Sequence, residues 1–74
     1  MNKAMREIYI KKEDYITLQD LLKAESIVSS GGEAKMIITD GMVKVNSEIE
    51  IRRGKKLHDG DVVEIGDEKI LIKL

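Results

Sequence analysis

The 74-residue chain contains no cysteine, proline, phenylalanine or tryptophan, and only two tyrosines. Without cysteine, neither a disulfide framework nor a thiolate metal site can stabilise so short a chain. Without proline or a low-complexity tract, the sequence shows no sign of a linker. We therefore expect a single domain over residues 1–74, whose small core is built from isoleucine, leucine, valine and methionine.

Long hydrophobic runs are also absent. The apolar stretches are a few residues long, far short of the ~20 residues that span a bilayer. The opening stretch MNKAMREIYI lacks the apolar segment of a secretory signal. These features predict a soluble, cytoplasmic protein that does not enter a membrane.

Residues suited to catalysis or metal binding are scarce. His58 is the single histidine, and no serine has a nucleophile-elbow context, so neither a catalytic triad nor a transition-metal site is predicted. The carboxylates of residues 59–68 lack the spacing of a calcium loop, and SSGGE lacks the Lys-Ser/Thr end of a Walker loop. We expect no enzyme activity, no cofactor, no metal and no small-molecule substrate.

Hydrophobic periodicity predicts an α+β fold in which two short helices pack on a small, mainly antiparallel β-sheet. The helices are expected at about residues 18–25 and 32–40, where apolar residues recur with helical spacing. Thr17 and Ser30 stand at the N-cap positions, and each is followed three residues later by an acidic residue.

Alternating apolar and polar residues predict the strands. Ile8 and Ile10 alternate in an edge strand before the helices. After the second helix, two strands alternate about the pair Asn46-Ser47, where asparagine tolerates the positive φ of a hairpin turn. Two further strands are predicted at about residues 62–65 and 69–73.

Positive charge is concentrated in the middle of the chain, although the formal net charge is only −1. Residues 1–34 carry five basic and six acidic residues, residues 35–56 carry six and three, and residues 57–74 carry two and five. The central basic residues are Lys35 on the second predicted helix, Lys44 on the outward side of the next strand, and Arg52, Arg53, Lys55 and Lys56 in the following loop. One explanation of such a charged loop is that it protects a sheet edge from pairing with another chain. Cations on three adjacent elements instead favour a surface that contacts phosphates.

The scarcity of aromatic residues argues against base stacking of the kind that OB-fold and RRM domains use, which leaves phosphate contacts and shape as the means of recognition. Gly54 would let the basic loop come close to a partner. Ser30, Gly31 and Gly32 are a weaker candidate for backbone contact with phosphate, because the free amides of a helix start attract anions. Glu33 opposes this reading, since its charge would repel a phosphate.

The sequence motif GGEAK…VNSE…RRGKK…GD resembles that of the RNA-binding domain named after ribosomal protein S-four, in particular its small stand-alone bacterial members of the YaaA type. The resemblance covers about residues 16–66, with a strand on either side of this core. It implies a positively charged surface, formed by two helices and the following strand and loop, that binds structured RNA. The positions at the family's spacing are Ser30, Ala34, Ile38, Gly41, Val43, Val45, Asn46, Gly60 and Asp61.

The resemblance also implies which residues contact RNA. These are Lys35, Lys44, Arg52, Arg53, Lys55 and Lys56. Two positions depart from the family, since many members have an arginine where this chain has Gly31 and a glycine where it has Ser47. The first departure leaves only backbone amides to contact a phosphate at that point.

The leading hypothesis is a non-catalytic protein that binds structured RNA, ribosomal or transfer RNA, and works with the ribosome, a ribosomal subunit or their assembly. The alternative is a protein-interaction module that docks on a larger complex through its sheet edge or its acidic C-terminal segment. Charge alone also leaves double-stranded DNA open as a ligand.

Overall fold

A computed structural model describes residues 5–9 and 15–73. Within these ranges the elements are β1 (Met5–Tyr9), β2 (Ile16–Thr17), α1 (Leu18–Ala24), α2 (Gly31–Thr39), β3 (Val43–Val45), β4 (Glu48–Ile49), β5 (Lys56–Leu57), β6 (Val62–Ile65) and β7 (Glu68–Lys73). Two helices pack on a mainly antiparallel sheet, and the predicted α+β class is confirmed.

Both predicted helix starts are confirmed. The Thr17 hydroxyl accepts a hydrogen bond from the backbone N–H of Asp20 at 3.2 Å, and the Ser30 hydroxyl accepts one from the backbone N–H of Glu33 at 3.2 Å. Each bond satisfies an amide that has no partner inside its helix. Of the helices in the described ranges, none has the length and apolar character needed to cross a bilayer.

The core is aliphatic, as the composition predicts. Helical spacing places one face of each helix against one face of the sheet, and these two layers form a single buried cluster. Its members are Leu18, Leu21, Leu22, Val28, Ala34 and Ile38 from the helical layer and Val43, Val45, Leu57, Val63, Ile70 and Ile72 from the strands.

The main sheet has five strands in the order β1-β7-β6-β3-β4. β1 pairs in parallel with β7, and the other pairs are antiparallel. β1 lies at the edge, as predicted, and Ile8 packs half-buried against the core, while Ile10 lies outside the described residues. The predicted hairpin joins β3 to β4 through Asn46 (φ 52°) and Ser47 (φ 73°), both in the left-handed region that a two-residue turn requires.

A second, two-stranded sheet pairs β2 with β5, so that Ile16 lies opposite Leu57 and Thr17 opposite Lys56. The prediction that Lys56 lies in a loop is wrong, because Lys56 is the first residue of β5. Two-residue strands are too short to show an alternating pattern, so the periodicity carried no signal of them. Because Leu57 is fully buried, the small sheet fixes the preceding loop to the start of α1.

Candidate nucleic-acid interface

Residues 52–56, called the basic loop below, lie on the N-terminal end of α1. The backbone N–H of Leu18 donates to the carbonyl oxygen of Lys55 at 2.9 Å, and that of Gln19 donates to the carbonyl oxygen of Arg53 at 3.1 Å. The first amides of a helix lack partners within it, so the loop satisfies two of them. The helix start therefore fixes the backbone of the basic loop.

The start of α2 lies beside the same end of α1. A methyl group added at Gly31 would come within 3.2 Å of the Gln19 side-chain nitrogen. Gln19 thus contacts α2 through its side chain and the basic loop through its backbone. Lys35 follows Gly31 by four residues and so lies one turn along on the same face of α2. The basic loop, Gln19, residues 30–32 and Lys35 form one surface, called the basic face below.

Some of the backbone amides at the N-terminus of α2 are open, in the sense that they donate no hydrogen bond to any described residue. No hydrogen bond within the described part of the chain uses the backbone N–H of Gly31 or Gly32. The Glu33 carboxylate accepts hydrogen bonds from the backbone N–H and the hydroxyl of Ser29, at 2.7 and 3.1 Å. This arrangement fixes a negative charge near the two open amides, where it opposes a phosphate.

Arg52 is engaged by a carboxylate on its own loop. Its Nε and Nη2 atoms donate to Glu50 at 2.9 and 3.0 Å, and its backbone N–H donates to the same side chain at 3.0 Å. The guanidinium hydrogen bonds lower the pKa of Glu50 from 4.5 to about 2, and the pair raises the pKa of Arg52. Arg52 therefore brings less net positive charge to the basic face than its residue type predicts.

The other cations of the basic loop have different surroundings. Arg53 is exposed, and its side chain takes part in no hydrogen bond or ion pair within residues 15–73. Lys55 is half-buried and, after Arg52, also helps to lower the pKa of Glu50. The Lys56 ammonium lies 4.9 Å from the centre of the Tyr15 ring, which is a cation–π distance. Arg53 is thus the loop cation best placed to meet a phosphate.

Lys44 lies on a different side of the molecule. Val43 and Val45 face the core, so the exposed side chain between them points away from the helices. In the sheet register, Lys44 lies opposite Glu64 on β6 and Ile49 on β4. The structure places the basic loop at the start of α1, beside the start of the helix that carries Lys35, and it places Lys44 on the opposite face of the sheet.

Two aromatic side chains that the sequence analysis did not include lie beside the basic loop. The ring centres of Tyr15 and His58 are 6.1 Å apart, with the ring planes tilted by 51°. Tyr15 directly precedes β2 and His58 directly follows β5, so the antiparallel pairing of Ile16 with Leu57 brings the two residues close together. Only prediction of that short pairing would have placed the two rings together.

Asn46 and Asp61, two of the positions that the family spacing marks, hold neighbouring turns together. The Asn46 amide donates to Asp61 at 3.0 Å, and its oxygen accepts the backbone N–H of Val62 at 2.9 Å. The other Asp61 carboxylate oxygen accepts the backbone N–H of His58 at 2.8 Å. These bonds fix the segment that follows the basic loop.

Comparison with known proteins now assigns the family. A model of the S4 domain matches residues 8–73, and the chain belongs to this family. RlbA of Bacillus subtilis (strain 168), named as a ribosome maturation protein, is 48% identical over 52 residues, which make up 70% of this chain and 73% of RlbA. YbcJ of Escherichia coli (strain K12), named as an RNA-binding protein, is 32% identical over 68 residues, which make up 92% of this chain and 97% of YbcJ.

Solved structures agree with this assignment. The solution structure of E. coli YbcJ, described as having an ALFAL motif involved in RNA binding, has a TM-score of 0.69 and 31% identity, covering 100% of this chain and 91% of that one. The 30S ribosomal protein S4e of Thermoplasma acidophilum has a TM-score of 0.59 and 27% identity, covering 78% of this chain and 31% of that larger one. The resemblance found in the sequence is confirmed, and the relatives, none of which is named as an enzyme, support RNA binding.

Proposed function

We propose that this protein binds structured RNA, ribosomal or transfer RNA, through its basic face. The observation that carries the proposal is the attachment of the basic loop to the start of α1, next to the start of α2. The backbone segments that carry cations from separate parts of the chain are thereby held next to one another. The proposed RNA contacts on this face are the side chains of Lys35, Arg53, Lys55 and Lys56. Arg52 adds a contact when its ion pair with Glu50 breaks, and the backbone of residues 30–32 adds another.

A fixed array of cations suits a folded RNA, because only a folded RNA presents its phosphates in a fixed array. The open amides of Gly31 and Gly32 add two donors to this array, and they replace the arginine that many family members carry there. Lys44 extends the contact only to an RNA that reaches around the edge of the sheet. Recognition would therefore depend first on the shape of the phosphate backbone.

The named relatives support ribosomal RNA as the target. RlbA is named as a ribosome maturation protein, and S4e is a protein of the 30S subunit. We infer a role in which this small protein binds ribosomal RNA during maturation of a subunit, in the cytoplasm. The names of YbcJ and RlbA favour RNA over the double-stranded DNA that charge alone leaves open.

The salt dependence of binding tests the proposed function. If about four cations neutralise phosphates, a plot of log affinity against log salt should have a slope of about −3 to −4. Fluorescence anisotropy with an end-labelled ribosomal RNA hairpin, repeated over a range of salt concentrations, measures this slope. A DNA hairpin of the same sequence and length is the competitor, and the RNA should bind more tightly. A slope near zero, or equal affinity for the two hairpins, would contradict the proposal.

Replacing Glu50 by glutamine should strengthen RNA binding while it weakens the fold. The variant frees the Arg52 guanidinium for a phosphate, so the salt slope should steepen by about 0.7 to 0.9, the value for one added contact. Loss of the ion pair should lower the free energy of unfolding at pH 7 only modestly, because the Arg52 side chain is 69% exposed and solvent screens the pair.

The stability loss in Glu50→Gln should itself depend on pH. The pKa of Glu50 is lowered in the folded state from 4.5 to about 2, so its contribution is complete above about pH 5 and is lost as the pH falls toward 2. Urea denaturation from pH 7 down to pH 2 measures the difference between variant and wild type, which should shrink over this range. Asp67→Asn, which removes an exposed carboxylate in the β6–β7 turn, is the matched control. A difference that stays constant with pH would contradict the prediction.

A second function is favoured by the β4 edge of the sheet. Met42, Ile49 and Ile51 are more than half exposed there, and Ile49 lies near Gly41 at the end of α2. Exposed apolar side chains at a sheet edge suit contact with another protein. This edge would allow the protein to dock on a protein of the same ribosomal particle while the basic face holds RNA.

A further inference from the structure

A cleft opens beside the basic loop. Its volume is about 590 Å³, within the range of about 300 to 1,000 Å³ that holds small ligands. One nucleotide is therefore small enough to enter it. The lining residues are Arg52, Gly54, Lys55, Lys56, His58 and Asp61.

One aromatic ring lines this cleft, and a second lies next to the first. His58 lines it, and the Tyr15 ring lies 6.1 Å away. The Lys56 ammonium already lies against the Tyr15 ring, at 4.9 Å from its centre. The His58 side chain is exposed, so its ring is the surface that a flat ligand group can reach.

The backbone fixes the position of His58. Its N–H donates to Asp61 at 2.8 Å, and Asp61 also accepts a hydrogen bond from the Asn46 amide at 3.0 Å. Leu57, the preceding residue, is fully buried. A group that stacks on the His58 ring would thus meet a side chain whose backbone is already held in place, which lowers part of the entropy lost on binding.

The lining of the cleft carries charges of both signs. The Asp61 carboxylate repels a phosphate but can accept a hydrogen bond from a base N–H group. The ammonium groups of Lys55 and Lys56 attract a phosphate. The cleft therefore suits a nucleotide whose base lies toward His58 and Asp61. In a duplex the bases are stacked on one another, so only an unpaired nucleotide can offer its base in this way.

We propose that this cleft binds one unpaired nucleotide of the RNA, with its base stacked on the ring of His58 and its phosphate at Lys55 and Lys56. The inference rests on the proposed RNA binding and adds base stacking to it. The scarcity of aromatic residues predicts only phosphate contacts and shape, and the proximity of Tyr15 and His58 depends on the β2–β5 pairing.

Two RNAs of equal length test the inference: a hairpin with an unpaired loop and a blunt duplex with no unpaired nucleotide. His58→Ala should weaken hairpin binding about 5-fold or more and change duplex binding less than about 2-fold. The substitution keeps the hydrogen bond to Asp61, which the backbone makes. His58→Phe keeps a ring and should retain hairpin binding. Tyr9→Ala, which removes an exposed ring on β1, is the matched control and should change neither affinity.

Nuclear magnetic resonance gives a direct readout. His58 is the single histidine of the chain, so its ring protons give unique signals. The ring current of a stacked base should shift these signals upfield when the hairpin is added to the wild-type protein, and the duplex should not produce this shift.

The outcomes separate this inference from the proposed function. If His58→Ala leaves hairpin binding unchanged, or weakens hairpin and duplex binding equally, the inference is overturned and RNA binding stands. If the wild-type protein binds neither RNA, the proposed function and the inference are overturned together.

Discussion

Replacing Arg53 and Lys55 by glutamate should reduce the affinity for a ribosomal RNA hairpin by about 100-fold or more at physiological salt. Arg53 has no ion pair within residues 15–73, and Lys55 lies on the same loop in contact with the cleft. The variant removes two phosphate contacts and brings like charges together, which costs several kcal/mol. Fluorescence anisotropy measures the affinity, and circular dichroism checks that the variant is folded. The backbone bonds of the loop to α1 do not involve the changed side chains.

A control of equal charge separates the basic face from the total charge of the protein. Lys23→Glu with Lys73→Glu changes the net charge by the same amount, on the last turn of α1 and on β7. This control should bind RNA within about 3-fold of wild type, since screening limits the reach of distant charges. Equal losses in the two double variants would show that binding depends on net charge and not on this surface. Ribosome association that survives the Arg53 and Lys55 reversal would favour docking through a protein partner.

Replacing Leu57 by alanine should lower the free energy of unfolding by about 2 to 4 kcal/mol. The side chain is fully buried, and removing buried methyl groups loses their transfer free energy and leaves a cavity. Small domains have a total stability of about 5 kcal/mol or more, so the variant should remain folded with a small margin and should unfold at a lower urea concentration than the wild type. Urea denaturation followed by circular dichroism measures the change.

The same variant should also weaken RNA binding, because Leu57 anchors the strand that ends the basic loop. Ile51→Ala is the matched control, since that side chain is 58% exposed and its loss should change stability by less than about 0.5 kcal/mol. A loss below about 1 kcal/mol in Leu57→Ala would show that the small β2–β5 sheet does not share the core of the domain.

Local features of the sequence predicted much of this fold. Helix caps and tight turns depend on residues at most three positions apart, so one short segment is enough to predict them. The N-caps at Thr17 and Ser30 and the turn at Asn46 and Ser47 are examples. The same holds for the apolar spacing that buries one face of each helix. The charge pattern located the basic loop because charge is a property of composition and not of packing.

Features that depend on pairing between residues far apart in the chain could not be predicted from the sequence. The β2–β5 ladder joins residues about 40 positions apart through two rungs, and the parallel pair β1–β7 joins the two ends of the described chain. Alternation predicts β1 and β7 as strands but does not say which strands pair, and β2 and β5 are too short to alternate. The side of the sheet on which Lys44 lies also depended on how the elements assemble.

The ion pair between Arg52 and Glu50 could be predicted more readily, because the two residues are close in sequence. In an extended chain, residues two apart lie on the same side, and Glu50 precedes Arg52 by two positions. That spacing is a local signal of the pair. It indicates that a count of cations overstates the charge a loop offers when an acidic residue stands two positions away.

Gly54, in the middle of the basic loop, offers a practical way to observe the interface. A side chain added there would meet no atom within 4 Å. Because the chain contains no cysteine, Gly54→Cys would carry its single thiol. A photoreactive group or a fluorophore attached at that thiol would sit beside the cleft, and the nucleotides it marks would reveal which part of the RNA faces the loop.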